Sequence, residues 1–148
     1  MTEKMESCLG AHRIEELIES ALEARKFAYA PYSGFAVGAA LLTAGGEIYR
    51  GCNIENAAYG PTNCAERTAF FKAVSEGERA FSAIAIVGGA AEEEPGGFAY
   101  PCGVCRQVMK EFCGHDFVVI VARSSEEYRV YSLEELLPHS FELQGAGL

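Results

Sequence analysis

Three cysteines and one carboxylate, in two short segments, are the residues of this chain whose types and spacing best suit catalysis. Cys64 precedes Glu66 by two residues, and a later segment holds Cys102 and Cys105. Three thiolates can hold one zinc ion and leave its fourth tetrahedral position open, as catalytic zinc sites do. A carboxylate beside the first ligand could carry protons to and from a water molecule at that position. The pattern therefore predicts a hydrolytic zinc site with Glu66 as its proton shuttle.

Both segments open predicted helices, over residues 64–77 and 102–112. The positive ends of two helix dipoles then face one metal and favour thiolates over thiols. Arg67, in the first turn after Cys64, could donate hydrogen bonds to the cysteine sulfurs, and Arg106 is a second candidate for this task. Of the two we prefer Arg67.

The remaining elements must hold these two helices side by side. Apolar periodicity and turn residues predict a helix over 12–29, strands over 35–43, 47–53, 81–87, 117–122 and 128–131, and a short helix over 133–137. Helices placed between strands favour an α/β fold, a three-layer α/β/α sandwich around a mixed five-stranded sheet. No repeat or linker divides the chain, so we expect one domain over 1–148, with a flexible polar tail over 1–11.

The composition narrows the classes of molecule that the chain could bind. The chain has 148 residues and a net charge of −9, with 21 acidic and 12 basic residues. A nucleic-acid-binding surface needs clustered basic residues, and these are scattered, so we expect a small-molecule substrate and no nucleic acid. The longest apolar runs have the length of strands, which predicts no membrane span. Six cysteines without a secretory signal pattern predict a reducing compartment, the cytoplasm, and metal or catalytic roles instead of disulfides.

Four motifs together resemble those of the small, homotetrameric cytidine deaminases. They lie at Phe35–Ala39, Gly51–Asn56, Cys64–Arg67 and Pro101–Gln107, and the resemblance runs from about residue 29 to residue 141. It implies a cytidine deaminase-like fold, one zinc ion per chain and hydrolytic deamination of cytidine and deoxycytidine to uridine and deoxyuridine, with release of ammonia in pyrimidine salvage. It also implies a homotetramer with active sites near the subunit interfaces.

The same resemblance implies a set of substrate contacts. Asn53 and Glu55 correspond to the pair that binds the ribose, and residues spaced by two in an extended segment can indeed face one sugar hydroxyl. Phe35 corresponds to a wall of the nucleoside pocket, and the backbone of Ala65 would hold the pyrimidine edge. Phe141 resembles an aromatic residue that stacks on the base, in its own site or in that of a neighbouring subunit.

One residue departs from the family pattern close to a ligand. Tyr100 precedes Pro101 where the family often has a small hydroxyl residue. This difference could alter packing near the rim of the pocket.

Three other functions remain open from the sequence. A deaminase of an aminonucleoside antibiotic such as blasticidin S would share the zinc motifs. A non-catalytic zinc module would close the metal with a fourth ligand, and Cys52 is not excluded from that position. A redox pair formed by Cys102 and Cys105 would leave Cys64 and Glu66 without a role.

Overall fold

A computed structural model describes residues 2–143 and contains five helices and five strands within them. In chain order these are α1 (Thr2–Leu9), α2 (Ala11–Arg25), β1 (Phe35–Thr43), β2 (Ile48–Cys52), α3 (Ala65–Ser75), β3 (Phe81–Ala90), α4 (Gly103–Phe112), β4 (Val118–Ser124), β5 (Glu127–Ser132) and α5 (Leu133–Leu136). None of the helices in this described part is long and apolar enough to cross a membrane.

The five strands form one mixed sheet in the order β2-β1-β3-β4-β5. The hairpin of β1 and β2 is antiparallel and turns at Gly46, whose φ of 95° suits glycine. Strand β1 is also antiparallel to β3, whereas β3 and β4 are parallel because helix α4 returns the chain between them. Strand β5 closes the other edge, antiparallel to β4. The predicted mixed five-stranded sheet is confirmed.

Apolar side chains on both faces of the sheet make three layers. Alternate residues of β1 point to opposite faces, so Ala39 and Leu41 belong to the core beneath α3 and α4, and Ala40 and Leu42 to the core beneath α2. Both cores continue along β3 and β4, whose central residues, 83–87 and 119–122, are fully buried. The predicted α/β/α sandwich is therefore confirmed.

Two glycines let the helices approach the sheet closely. A Cβ atom on Gly38 would lie 2.0 Å from the carbonyl oxygen of Ala21 in α2. On the other face, a Cβ atom on Gly51 would lie 2.3 Å from the carbonyl oxygen of Ala65 in α3. Because real side chains never come so near, each glycine sets the depth at which one helix packs.

The N-terminal prediction requires a correction. Instead of a flexible tail over 1–11, residues Thr2–Leu9 form helix α1. Met5 and Leu9 pack against the core beneath α2, and this apolar contact is the reason for the ordered helix. Gly10, with a φ of 89°, makes the bend between α1 and α2.

Helix α2 ends earlier than predicted, at Arg25 and not at residue 29. Tyr29 instead pairs with the segment after β2: its N–H donates to the carbonyl oxygen of Asn53 at 2.9 Å, and its own carbonyl accepts from the N–H of Glu55 at 2.8 Å. After the end of the helix, the backbone of Tyr29 therefore holds the backbone of the Asn53–Glu55 segment in place.

Candidate active site

The three predicted metal ligands lie together at two helix starts. Cys64 is the N-cap residue of α3, Cys102 is that of α4, and Cys105 lies in the first turn of α4. Their Sγ atoms lie within 4.8 Å of one another, and those of Cys64 and Cys102 are 3.8 Å apart. Tetrahedral zinc with Zn–S bonds of about 2.3 Å places its sulfurs about 3.8 Å apart, so the thiols fit zinc.

A fourth protein ligand is not present in residues 2–143. The cluster of potential ligands around these sulfurs contains the three cysteines only, and Cys52 does not belong to it. The donor set is thus that of an open zinc site, with room for one further ligand. Cys102 and Cys105 both lie in one site with Cys64. A metal centre requires this grouping, whereas an isolated redox pair does not.

Arg67 contacts one of the three sulfurs. Its Nη2 atom donates a hydrogen bond to Cys64 Sγ at 3.2 Å. Hydrogen bonding from the Cys105 thiol, assisted by Arg67, lowers the pKa of Cys64 to about 5, whereas that same bond and burial raise the pKa of Cys105. Of these two thiols, Cys64 therefore ionises more readily.

Arg106, the other candidate, has a different task. Its Nε atom donates to the carbonyl oxygen of Pro101 at 2.7 Å and its Nη1 atom to that of Leu136 at 2.6 Å. These bonds join the start of α4 to the end of α5. Arg106 thus supports the segment that carries Cys102.

Glu66 is a buried carboxyl beside the cysteines. It lies in the first turn of α3 and is only 4% exposed. Burial raises its pKa to about 7, because the charged form loses its hydration. A carboxyl with such a pKa can both accept and donate a proton near neutral pH, which is the property of an acid–base catalyst.

One cavity of about 460 Å³ contains most of the predicted site residues. A volume of this size suits a small molecule. The predicted residues that line it are Phe35, Asn53, Glu55, Cys64, Ala65, Glu66 and Cys102.

The turn that contains Tyr32 and Ser33 orients the carboxylate of Glu55. Its Oε1 atom accepts hydrogen bonds from the backbone N–H groups of Tyr32, at 2.9 Å, and Ser33, at 3.1 Å. Its Oε2 atom accepts a third from the hydroxyl of Ser33, at 2.5 Å. These bonds, the Ser33 hydroxyl first, lower the pKa of Glu55, so the cavity carries a fixed anionic acceptor at this end.

Asn53 fixes the start of β1. Its Oδ1 atom accepts from the N–H of Val37 at 2.8 Å, and its Nδ2 atom donates to the carbonyl oxygen of Phe35, also at 2.8 Å. One amide hydrogen and one lone pair remain for a ligand. The side chain therefore holds Phe35 in the cavity wall as well as facing the cavity.

Phe141 is not brought to the cavity of its own chain. Its side chain is 68% exposed, and its carbonyl oxygen accepts a hydrogen bond from Gln107 in α4 at 3.1 Å. Stacking within the same chain is thus not supported by this placement. A role in a neighbouring subunit's site stays a prediction.

Other residues line the cavity without having been singled out. Ser33, Val37, Thr62, Asn63, Ile86 and Ala99 belong to this group. Most are apolar or small, and their types carry no chemical signal that would mark them in the sequence. Tyr100, already marked by its departure from the family pattern two residues before Cys102, also lines the cavity.

The fold and the site together define a class of protein. Zinc-dependent deaminases hold their metal with cysteine or histidine ligands at helix starts and use a glutamate that is not a ligand to move protons. Three cysteines and the buried Glu66 match that description on an α/β/α sandwich.

Comparison with known proteins gives the family. Residues 11–121 match the family model described as the cytidine and deoxycytidylate deaminase zinc-binding region. A cytidine deaminase of Sporosarcina psychrophila is 52% identical over 128 residues, which cover 86% of this chain and 90% of the relative. The chain therefore belongs to the cytidine and deoxycytidylate deaminase family.

Solved structures agree with this assignment. The crystal structure of cytidine deaminase from Burkholderia pseudomallei superposes with a TM-score of 0.77 and 50% identity, covering 85% of this chain and 97% of that one. That of cytidine deaminase from Mycobacterium tuberculosis gives a TM-score of 0.72 and 38% identity, over 86% and 96% of the two chains.

Proposed function

We propose that this protein is a zinc-dependent hydrolase that converts cytidine and deoxycytidine, with water, to uridine and deoxyuridine and ammonia. One observation carries the proposal. A single cavity contains two of the three thiol ligands, the buried Glu66 and the polar pair Asn53 and Glu55. The named relatives are cytidine deaminases, which supports the choice of nucleoside.

Zinc held by Cys64, Cys102 and Cys105 would supply the Lewis acidity that activates a water molecule for attack. Glu66 would take a proton from that water and give protons to the ring nitrogen and to the departing amine. In this exchange a C–O bond forms at the ring carbon and the exocyclic C–N bond breaks. Its raised pKa, about 7, suits both directions of transfer.

Arg67 would balance the charge of the three thiolates. A zinc ion with three such ligands carries a net negative charge, which weakens its pull on water. The hydrogen bond from Arg67 to Cys64 draws electron density away from the sulfur. The two helix starts act in the same sense.

Nucleoside binding would use the polar and apolar walls of the cavity. The remaining amide hydrogen and lone pair of Asn53 and the anionic carboxylate of Glu55 suit the ribose hydroxyls. Phe35 would form an apolar wall for the base, and the backbone of Ala65, at the start of α3, would bind the pyrimidine edge.

The assembly and location are part of the proposal. We infer a homotetramer in which Phe141, exposed in the single chain, completes the site of a neighbouring subunit. The exposed aromatic residues Tyr32 and Tyr59, beside the cavity, support such an interface. A single domain in the cytoplasm is consistent with six cysteines that are all unpaired.

The test is direct. Purified protein loaded with zinc should remove the absorbance of cytidine and release one ammonium ion for each cytidine consumed. The same assay, run with deoxycytidine, deoxycytidylate, free cytosine and blasticidin S, separates the alternatives. Turnover of blasticidin S alone would support the antibiotic deaminase, and no turnover of any substrate by zinc-loaded protein would support a non-catalytic zinc module.

A further inference from the structure

Four side chains form a connected cluster at the rim of the cavity, which we call the rim cluster: Phe98, Tyr100, Arg129 and Tyr131. The hydroxyl of Tyr100 lies 2.9 Å from that of Tyr131 and accepts a hydrogen bond from Arg129 Nη1 at 3.0 Å. The two tyrosine rings pack edge to face with centroids 5.7 Å apart. The guanidinium of Arg129 also stacks on the ring of Phe98, 4.2 Å from its centroid.

The cluster ties the loop before α4 to an edge strand. Arg129 and Tyr131 are spaced by two in β5 and so share a face of the sheet. Phe98 and Tyr100 have the same spacing in the loop that leads to Cys102. Each loop aromatic is thus held by a residue of β5, and no ion pair competes for Arg129 in the described chain.

Tyr100 lies at one end of the cavity. It lines the wall near Cys102 and Ala99. Neither Tyr100 nor Ala99 lines the smaller adjoining cavity of about 260 Å³, which continues from Glu55 and Ser33. Because Glu55 belongs to the proposed sugar end, Tyr100 belongs to the end where the base and its amine react.

We propose that Tyr100 determines substrate specificity as the wall of the base end, and that Arg129 positions it. The inference rests on the proposed function and adds a limit on the substrate: cytidines that carry an alkyl group on the exocyclic amine are excluded. Tyr100 is 41% exposed, so its ring could swing towards solvent if its hydroxyl were free. The bonds from Arg129 and Tyr131 oppose that movement and keep the wall closed.

The experiment compares kcat/KM for cytidine and N4-methylcytidine, which gives uridine and methylamine. A wall that excludes one methyl group discriminates by about 10-fold or more. We expect Tyr100→Ser to raise the ratio of N4-methylcytidine to cytidine activity about 10-fold. Arg129→Gln removes one of the two hydrogen bonds of the Tyr100 hydroxyl and should raise the ratio by about 3- to 10-fold. Tyr100→Phe keeps the ring but removes both bonds, and should raise the ratio by at least as much.

Three comparisons separate positioning from a general structural role. Arg129→Lys keeps a donor and should restore most of the selectivity. Arg129→Gln added to Tyr100→Phe should have no further effect on the ratio, because the arginine acts through the hydroxyl. Arg123→Gln, which removes a neighbouring arginine paired with Glu127 at the surface, should leave the ratio unchanged.

An unchanged ratio in Tyr100→Ser, or in both Tyr100→Phe and Arg129→Gln, would overturn the inference while cytidine turnover persists. An equal change in Arg123→Gln would also overturn it. Absence of cytidine turnover in the unaltered protein would instead refute the proposed function, so the two failures are distinguishable.

Discussion

Replacement of Gly51 by alanine tests how the sheet positions the active-site helix. The new Cβ atom would lie 2.3 Å from the carbonyl oxygen of Ala65 and 2.5 Å from the backbone nitrogen of Ala69. Ordinary contact begins near 3.4 Å, so α3 would have to move outward by about 1 Å. Forcing a methyl group into such a packed contact destabilises a protein by about 1–3 kcal/mol.

For a chain of this size, 2 kcal/mol corresponds to a fall in Tm of about 4–8 °C. Because α3 begins with Cys64 and carries Glu66, the shift also displaces the catalytic groups. A displacement of about 1 Å at a reacting centre can lower kcat about 100-fold. We therefore expect Gly51→Ala to lose both stability and turnover, measured by thermal unfolding and by cytidine assay at a temperature where the variant is folded.

Gly38→Ala is the matched control on the opposite face. Its Cβ atom would lie 2.0 Å from the carbonyl oxygen of Ala21, so α2 must move, but α2 carries none of the cysteine ligands. We expect a similar fall in Tm, because the new methyl group disturbs the packing of α2. The kcat should stay within about threefold of that of the unaltered protein. Gly45→Ala, whose Cβ atom would meet only Thr43 Oγ1 at 3.8 Å, should change neither quantity. Unaltered Tm in Gly51→Ala, or equal losses of kcat in the Gly51 and Gly38 variants, would show that Gly51 does not set the position of α3 and its catalytic groups.

Three further predictions concern the site. Cys102→Ala should lower zinc content well below one per chain in elemental analysis, because two sulfurs hold the ion poorly; full retention of zinc would exclude Cys102 as a ligand. Arg67→Gln removes a charged donor to Cys64 and should lower kcat about 10-fold with zinc still bound; unchanged kcat would remove its role in charge balance. Glu55→Gln should raise KM for cytidine about 10-fold, with little effect on any turnover of free cytosine; equal effects on both substrates would contradict binding of the sugar.

The sequence predicted the metal site well because its geometry is local. Cys102 and Cys105 lie within one helical turn, and Cys64 and Glu66 share the first turn of another helix. Only the contact between the two helix starts depends on the overall fold. The alternation of helices and strands predicted that both helices pack on the same sheet.

Features that depend on distant pairing could not be predicted in the same way. Tyr100 and Tyr131 are 31 residues apart and meet only because β5 forms the edge of the sheet next to β4. The hydrogen bonds of Asn53 to β1 depend on the exact register of the hairpin. Helix α1 was missed because its apolar residues are few and its stability comes from packing on the core.

In the proposed function, Glu66 moves protons at a zinc site held by three cysteines. Glu66→Gln keeps the size of the side chain and removes its acid–base capacity, so turnover of cytidine and zinc content should be measured on the same preparation. We expect about one zinc ion per chain and a kcat lowered by about 100-fold to 10,000-fold. A kcat close to that of the unaltered protein in the zinc-loaded variant would show that Glu66 is not the proton carrier.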